Sequence, residues 1–277
     1  MSESAARRRP VTAAIEMIGG LVSAPLEFVG GLVWLLKDLL LWILRSMFSR
    51  RVRFGKSAFV SQMVRVGVRS VSIVLLVSSS IGLILALQTA PSLAQFGQVD
   101  KVANLVGVAV FRELGPLIAA IVLTGFAGAS IAAEIGTMVV GEEIEALESM
   151  GLNPVRFLVV PRVLASAISL VLLAVIADLA AVFAGGFIGV TQLGIPFEVY
   201  KNNTIDQLTS IDFLTGLFKA GIFGTILGLI ACRNGLKVSG GAAGVGKATT
   251  DTVVQTVVTV IFADLFFTAL FYAVGWS

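Results

Sequence analysis

Three residues near the carboxyl end have the spacing of a nucleotide-binding loop: Gly241, Gly246 and Lys247, in the stretch SGGAAGVGKATTD (239–251). In the pattern G-x-x-x-x-G-K-[ST], backbone N–H groups surround the phosphates, the Lys reaches the outer ones, and the final hydroxyl binds Mg²⁺. Ala248 takes the place of that hydroxyl. The pattern also requires a buried strand before it, whereas apolar segments flank this one. We interpret the stretch as a tight turn before the last helix.

The glycines would supply the backbone freedom that a tight turn needs. Side chains that follow them can cap the next helix, and three have the required chemistry: Thr249, Thr250 or Asp251. Other catalytic chemistry is restricted by composition. The chain has no His and a single Cys, Cys232, which excludes a Ser-His-Asp triad, an intrachain disulfide and a cysteine metal site.

Ionisable residues within apolar segments are functional candidates by default, because burying a charge in a bilayer is costly. Candidates within such segments are Glu113, Asp178, Lys219 and Asp264. Each could instead pair with another charge and hold helices together, and Arg112 is next to Glu113. We expect Glu113, which precedes the helix-perturbing Gly-Pro of FRELGP, to line a cavity.

A two-faced helix is predicted from Glu142 to Met150. Acidic residues recur on one side at positions 142, 145 and 148, with Glu143 adding a fourth, while apolar residues recur on another side: Ile144, Leu147 and Met150. Gly151 and Pro154 would end it. An acidic helix on the inner surface favours docking of a basic partner, although a merely solvated polar face is the alternative.

The elements that position these residues are membrane helices. Hydrophobic residues make up 57% of the 277 residues and charged residues 13%, and the mean hydropathy is +0.97, which indicates an integral membrane protein. A span needs about 20 apolar residues. Five segments qualify: Val64–Leu87, Leu105–Phe126, Val163–Val190, Phe213–Ala231 and Val253–Val274.

A sixth apolar stretch, Ala24–Phe48, has Lys37 and Asp38 at its centre, between Trp34 and Trp42. A charge pair at the bilayer midplane is unfavourable, whereas a helix in the headgroup region keeps it hydrated. We predict an interfacial helix, with a sixth span as the alternative. The basic residues that follow it indicate a cytoplasmic side: Arg45, Arg50, Arg51 and Arg53.

Loop charges assign the remaining sides. The predicted external loops, Thr89–Asn104 and Thr191–Asp212, contain Lys101 and Lys201, whereas five basic residues fall in the internal loops, Gly128–Arg162 and Arg233–Thr250. The excess inside agrees with the positive-inside rule. We therefore predict an all-α membrane protein with a cytoplasmic amino terminus, five spans, a helix between spans two and three inside the cell, and an external carboxyl terminus.

Three motifs carry a family resemblance: RELGPLIAAIVLTGFAGASIAAEIGTM, EEIEALESMGLNPVRFLVVPRVLA and GGAAGVGKATTDTVVQTVVTVIFADLFFTALF. In this order they resemble the MlaE/YrbE permease family of bacterial ABC lipid transporters. The resemblance runs from about Phe59 to the end. It suggests a permease domain over residues 57–277, preceded by a cytoplasmic and interfacial segment over residues 1–56.

The resemblance implies a bacterial inner-membrane permease subunit that moves phospholipids or related lipids between the membrane and a periplasmic MCE-domain protein. The chain itself would not be an enzyme, because ATP and Mg would be bound by a separate ABC ATPase subunit. The implied partners are a second permease protomer, most simply an identical one, a cytoplasmic ATPase dimer, a periplasmic MCE hexamer and, as a further option, a small STAS-domain regulator.

The resemblance also implies site residues. Glu113 matches the glutamate that faces the lipid cavity, and the stretch IGLILALQTAPSLAQF supplies the other cavity positions: Leu85, Ser92, Leu93 and Phe96. The ATPase-coupling helix carries over to six positions: Glu142, Glu143, Glu145, Leu147, Glu148 and Met150. A secondary transporter of an amphipathic small molecule is the main alternative, because polar residues within spans are equally typical of that class; an integral-membrane enzyme using scattered acids is a third.

Overall fold

Helices account for nearly all of the fold in the computed structural model, which describes residues 10–48 and 56–276. They are α1 (Pro10–Phe48), α2 (Lys56–Val66), α3 (Val71–Ala94), α4 (Val102–Ala109), α5 (Gly115–Leu123), α6 (Ala129–Val140), α7 (Glu143–Ser149), α8 (Val160–Thr191), α9 (Phe197–Gln207), α10 (Ser210–Leu236) and α11 (Gly241–Val274). The described ranges contain no β-strand. The all-α prediction is confirmed.

Within the described ranges, five helical segments are long and apolar enough to cross a membrane: Ser57–Ala94, Val99–Val140, Val155–Thr191, Ser210–Leu236 and Gly241–Val274. Each contains one of the predicted spans, so their number and order are confirmed. The helices extend beyond the apolar stretches because backbone hydrogen bonding continues past the hydrocarbon boundary, where side chains can be polar.

The predicted turn lies at the start of the glycine-rich stretch, but the rest of the stretch is helical, so the predicted cap is wrong. The chain reverses between α10 and Gly240, whose φ of 84° is left-handed, and α11 begins at Gly241. Thr249 and Thr250 therefore lie inside the helix, where both hydroxyls contact the carbonyl of Gly246 at 2.6 and 3.3 Å. A left-handed glycine is enough for this reversal because it has no Cβ to clash.

The second span is an α-helix interrupted by two π-helical turns, Val110–Leu114 and Thr124–Gly128. Pro116 has no N–H, which removes an intrahelical donor just after the first turn. There the N–H of Gly115 donates to the carbonyl of Val110, five residues earlier. The wider turn changes the direction in which Glu113 projects, and π-helical turns of this kind are frequent at functional sites.

Close backbone contacts at glycines join the spans. A Cβ placed on Gly82 would lie 1.9 Å from the carbonyl oxygen of Ala181, and one on Gly216 would lie 2.1 Å from that of Phe111. Both positions exclude any larger residue unless the backbone moves. The first contact joins α3 to α8. The second joins α10 to the first π-helical turn and so helps to fix the position of Glu113.

The connecting helix α9 packs on α8 through Tyr200. Its ring contacts the positions at which Gly186 and Gly189 would carry a Cβ, and its hydroxyl donates to the carbonyl of Val182 at 3.3 Å. Burial raises the pKa of Tyr200 to about 12, so the hydroxyl remains a neutral donor. This contact holds the loop between the third and fourth spans against the bundle.

Helix α1 runs across one end of the bundle. Glu27 pairs with Lys237 at 3.2 Å, and Trp42 lies 5.6 Å from the guanidinium of Arg156. Lys237 follows α10 and Arg156 precedes α8, and these termini are adjacent because the two helices are antiparallel. A membrane-crossing α1 would place residues 27 and 42 about 22 Å apart in depth. The transverse course is the one expected of the predicted interfacial helix.

The same helix presents a polar and an apolar face. Leu39 is buried in the core, while Lys37 stacks over Trp34 at 4.6 Å. Helix α1 begins at Pro10, well before the predicted Ala24. The predicted basic positions 50, 51 and 53 lie outside the described residues.

Candidate functional site

Four residues from three spans form a charged group, here termed the Lys219 cluster: Glu113, Lys219, Asp264 and Thr268. The ammonium of Lys219 donates to Glu113 Oε2 at 2.6 Å, to Asp264 Oδ1 at 2.9 Å and to Thr268 Oγ1 at 2.8 Å. All three N–H donors of Lys219 are therefore used. The cluster ties the second, fourth and fifth spans together.

Burial makes the pairing necessary. The side chain of Lys219 is 1% exposed and that of Asp264 15%, and an unpaired charge in such surroundings would be strongly unfavourable. Glu113 differs, because its side chain is 33% exposed. Two carboxyl groups share one ammonium, so the partly exposed Glu113 leaves a polar end to this site.

The neighbouring Arg112 does not pair with Glu113, which corrects one of the alternatives considered from sequence. Its guanidinium forms an ion pair with Asp212 at the start of α10. The other Asp212 oxygen, Oδ2, accepts from the backbone N–H and the hydroxyl of Thr209 at 2.9 and 2.8 Å, closing a capping box. Arg112 thus fixes the amino end of α10, and Glu113 is left to interact with Lys219.

Asp178 lies in another environment. It is 2% exposed, and its Oδ1 has no hydrogen-bond partner in the described part of the chain. That oxygen occupies the space where a Cβ on Gly115 would lie, at 1.6 Å. No ion pair to Asp178 is present among the described residues, so Asp264 shows the predicted helix-pairing role and Asp178 does not.

An apolar groove of about 860 Å³ lies between α10 and α11, next to the Lys219 cluster. We term it the α10–α11 groove. Aromatic rings form much of its wall: Phe218 lies 5.7 Å from Phe267 and 6.2 Å from Phe271, and Phe271 lies 6.0 Å from Trp276. These distances are typical of packed aromatic pairs.

The groove adjoins a smaller cleft of about 90 Å³, which Arg112, Glu113 and Lys219 line. The groove and the cleft share three wall residues: Thr215, Phe271 and Trp276. One end of the combined cavity therefore offers charged and hydroxyl groups, and the other offers aromatic and aliphatic carbon. This arrangement can accommodate a ligand with a polar end and an apolar tail.

The other predicted cavity residues lie elsewhere on the chain. Leu85 and Leu93 pack partly against a core formed by α3, α4, α8 and α9, while Ser92 is exposed and Phe96 is 77% exposed. None of the four lines the α10–α11 groove or its cleft. A single chain thus places Glu113 in a cavity but does not bring these four residues to it.

The acidic helix is present as α7, Glu143–Ser149, one residue shorter at each end than predicted. Glu142 precedes it with a left-handed φ of 58°, and the chain turns at Gly151. Four acidic side chains are exposed, Ile144 and Leu147 are half-buried, and Met150 is 65% exposed. The two faces are as predicted except at Met150, which follows the last helical turn. Coupling to an ATPase remains a prediction.

The fold and the Lys219 cluster define a multi-pass α-helical membrane protein with an amphipathic cavity among its spans. Comparison with known proteins narrows the class. The profile of the family described as Permease MlaE matches residues 59–270. This chain belongs to the MlaE permease family.

Relatives carry consistent names. A probable ABC transporter permease protein of Rickettsia felis is 37% identical over 218 residues, which cover 79% of this chain and 84% of that protein. A protein of the same description from Synechocystis is 32% identical, again over 79% and 84%. The chloroplastic protein trigalactosyldiacylglycerol 1 of Arabidopsis thaliana is 30% identical over 77% of this chain and 61% of its own length. The chain is a transporter component rather than an enzyme.

Sequence reasoning missed the partners that complete the site. Lys219 and Asp264 were recognised as intramembrane charges, but Thr268 and the aromatic wall were not. An available signal was the i, i+4 spacing of Asp264 and Thr268, which places both on one face of a helix. The aromatic residues gave no comparable signal, because apolar side chains in a span face lipid as often as a groove.

Proposed function

We propose that this chain is the permease subunit of an ABC transporter that moves phospholipids or related lipids between the inner membrane and a periplasmic MCE protein. The α10–α11 groove with the Lys219 cluster at one end is the observation that carries the proposal. Its apolar wall suits an acyl chain, and its charged end suits a polar headgroup. Membership of the MlaE family and the lipid name of the Arabidopsis relative support this ligand class.

The energy for lipid transport would come from ATP hydrolysis by a separate ATPase subunit. The glycine-rich stretch forms the start of α11 instead of a loop around phosphates, which supports ATP and Mg binding by a partner. Helix α7, with exposed acidic residues at one end of the bundle, is the proposed contact for that ATPase dimer. A periplasmic MCE hexamer would receive or deliver the lipid, and a small STAS-domain protein is compatible with the assembly.

A second permease protomer, most simply an identical one, would complete the cavity. Ser92 and Phe96 at the end of α3 are exposed in a single chain, which is compatible with a contribution from each protomer to a shared space. In this arrangement Leu85, Ser92, Leu93 and Phe96 would lie opposite the partner's groove. The amino terminus would be cytoplasmic and the carboxyl terminus periplasmic.

Replacement of Glu113 tests the proposal. The transporter, purified with its ATPase and reconstituted in vesicles, should lose lipid transfer at least about tenfold in Glu113→Leu, as expected when one charge-assisted hydrogen bond is removed. Glu113→Gln should retain more transfer because it can still accept from Lys219. Asp206→Leu is the matched control, because Asp206 is an exposed acidic residue on α9, away from the proposed cavity.

Co-purification separates failure of the site from failure of the whole proposal. An ABC permease should bring down a soluble ATPase, whereas a secondary transporter or a membrane enzyme should not. Normal transfer in Glu113→Leu would remove Glu113 from the lipid path. Transport that continues without any bound ATPase would overturn the ABC assignment itself.

A further inference from the structure

A second cleft, of about 250 Å³, lies between the α2–α3 segment and α6. Its polar wall consists of Gln62, Arg65, Arg69, Ser130 and Glu134, and Phe126 is part of its apolar wall. Ser130 follows Glu113 by 17 residues on the same span, which corresponds to roughly 25 Å along a helix. The cleft is therefore near the opposite membrane boundary from the α10–α11 groove.

The local fold presents both arginines to the cleft. Helix α2 ends at Val66, and a short 3₁₀ turn over Val68–Ser70 leads into α3. Arg65 near the end of α2 and Arg69 in the 3₁₀ turn both line the cleft. Gly67 lies between them and lets this segment approach α8 closely, because a Cβ there would lie 2.9 Å from Ser169 Oγ.

The cleft carries excess positive charge. Arg65 forms an ion pair with Glu134 Oε1, and Arg162 Nη2 lies 3.2 Å from Glu134 Oε2. Arg162 is also anchored by a bond to the carbonyl of Leu158 at 3.0 Å. Two guanidinium groups thus already neutralise the single carboxylate. Arg69 has no anionic partner within the described ranges, although it lines the same space.

The wall of the cleft also contains a hydrogen-bond acceptor without a donor. Gln62 Oε1 is buried and has no hydrogen-bond partner among the described residues. A buried amide oxygen without a donor is unfavourable, and a hydroxyl-bearing ligand could supply that donor. Phe126 in the cleft wall is 45% exposed, so apolar surface of the kind that suits a membrane borders the cleft.

We infer that this cleft binds a phosphate-type anion at the membrane boundary, carried either on a phospholipid headgroup or free in solution. Guanidinium groups bind phosphate oxygens through paired N–H donors. Arg69 supplies the uncompensated charge, Arg65 a second guanidinium shared with Glu134, and Ser130 a hydroxyl donor. The site is separate from the proposed lipid path and does not depend on it.

Ligand binding to the purified transporter complex tests the inference by native mass spectrometry. Three probes are titrated: phosphatidylglycerol, phosphatidylcholine and inorganic phosphate. Arg69→Gln removes the free charge, and Ser130→Phe fills the cleft without changing charge. Lys247→Gln is the matched control, because Lys247 is another exposed cation in the same predicted internal region.

The wild type and Lys247→Gln should bind phosphatidylglycerol about fivefold more tightly than Arg69→Gln, the effect of one basic residue near a membrane surface. Ser130→Phe should lose binding as well. Displacement of the lipid by inorganic phosphate would identify free phosphate as the source; retention against it would identify the headgroup. Equal binding of every probe by wild type, Arg69→Gln and Ser130→Phe would overturn the site.

Discussion

Lys219 Nζ lies 2.6 Å from Glu113 Oε2, although the two residues are 106 positions apart in sequence. This contact makes the fourth span the link between the second and the fifth, because Lys219 also reaches Asp264. A single buried ammonium thus holds three spans and borders the proposed lipid cavity. Replacement of Lys219 should therefore lower the stability of the fold as well as affect lipid transfer.

Lys219→Met should lower the free energy of unfolding by about 3 kcal/mol, because it leaves Asp264 as a buried charge without a partner. The partial exposure of Glu113 keeps the loss at the lower end of the usual range for buried pairs. Thermal unfolding in one detergent measures the effect. Lys201→Met, which breaks an exposed pair with Glu198, is the control and should change stability by about 0.5 kcal/mol or less. Equal melting temperatures for both variants would contradict the structural role of the cluster.

Gly82→Val should destabilise the fold by at least about 2 kcal/mol, because the new side chain would overlap the Ala181 carbonyl and separate α3 from α8. Gly246→Ala is the matched control, since no atom lies within 4 Å of a Cβ at that helical position. The control should be neutral or stabilising by up to about 1 kcal/mol. Unfolding midpoints of the two variants would decide, and a harmless Gly82→Val would show that the two spans are farther apart.

Cysteine labelling should establish the predicted sides. The natural Cys232 is fully buried and should not react with a membrane-impermeant maleimide. In intact cells, Asn202→Cys should be labelled and Ser239→Cys should not, because the first lies in a predicted external loop and the second in an internal one. Both should react after the membrane is permeabilised. The reverse pattern would invert the topology.

Charge reversal on α7 should weaken the proposed ATPase contact. The double variant Glu145→Lys, Glu148→Lys should reduce the co-purified ATPase by at least about tenfold, since like charges across an interface cost several kcal/mol. Both side chains are exposed, so the fold itself should be unaffected. Glu198→Lys on α9, at the other end of the bundle, provides the control. Undiminished ATPase recovery would assign the contact to another surface.

The fold followed from sequence because membrane spans are specified by length and apolar content, which are local properties. The ends of the spans could not be predicted in the same way, since Gly241 and Lys247 lie in the same helix although neither is strongly apolar.

Glu113, Lys219 and Asp264 were identifiable because charge is rare within spans. Their convergence depends on how the first π-helical turn, α10 and α11 pack, and one sequence does not contain that information. The aromatic wall was hidden for the same reason: Phe218 and Phe271 look like any lipid-facing residues.

The glycine contacts have a mechanical consequence. Where a carbonyl such as that of Ala181 rests on Gly82, the spacing of two spans is set by the main chain and leaves no room for sliding. A Cβ on Gly224 of α10 would likewise lie 2.6 Å from the Ser166 carbonyl oxygen of α8. The first four spans should therefore turn as one stiff block instead of bending. The last span is different, because only 6% of its most apolar stretch is buried. We therefore expect a hinge, if the protein bends, at the boundary between that block and α11. The Lys219 cluster is the charged contact that connects the two sides of this boundary.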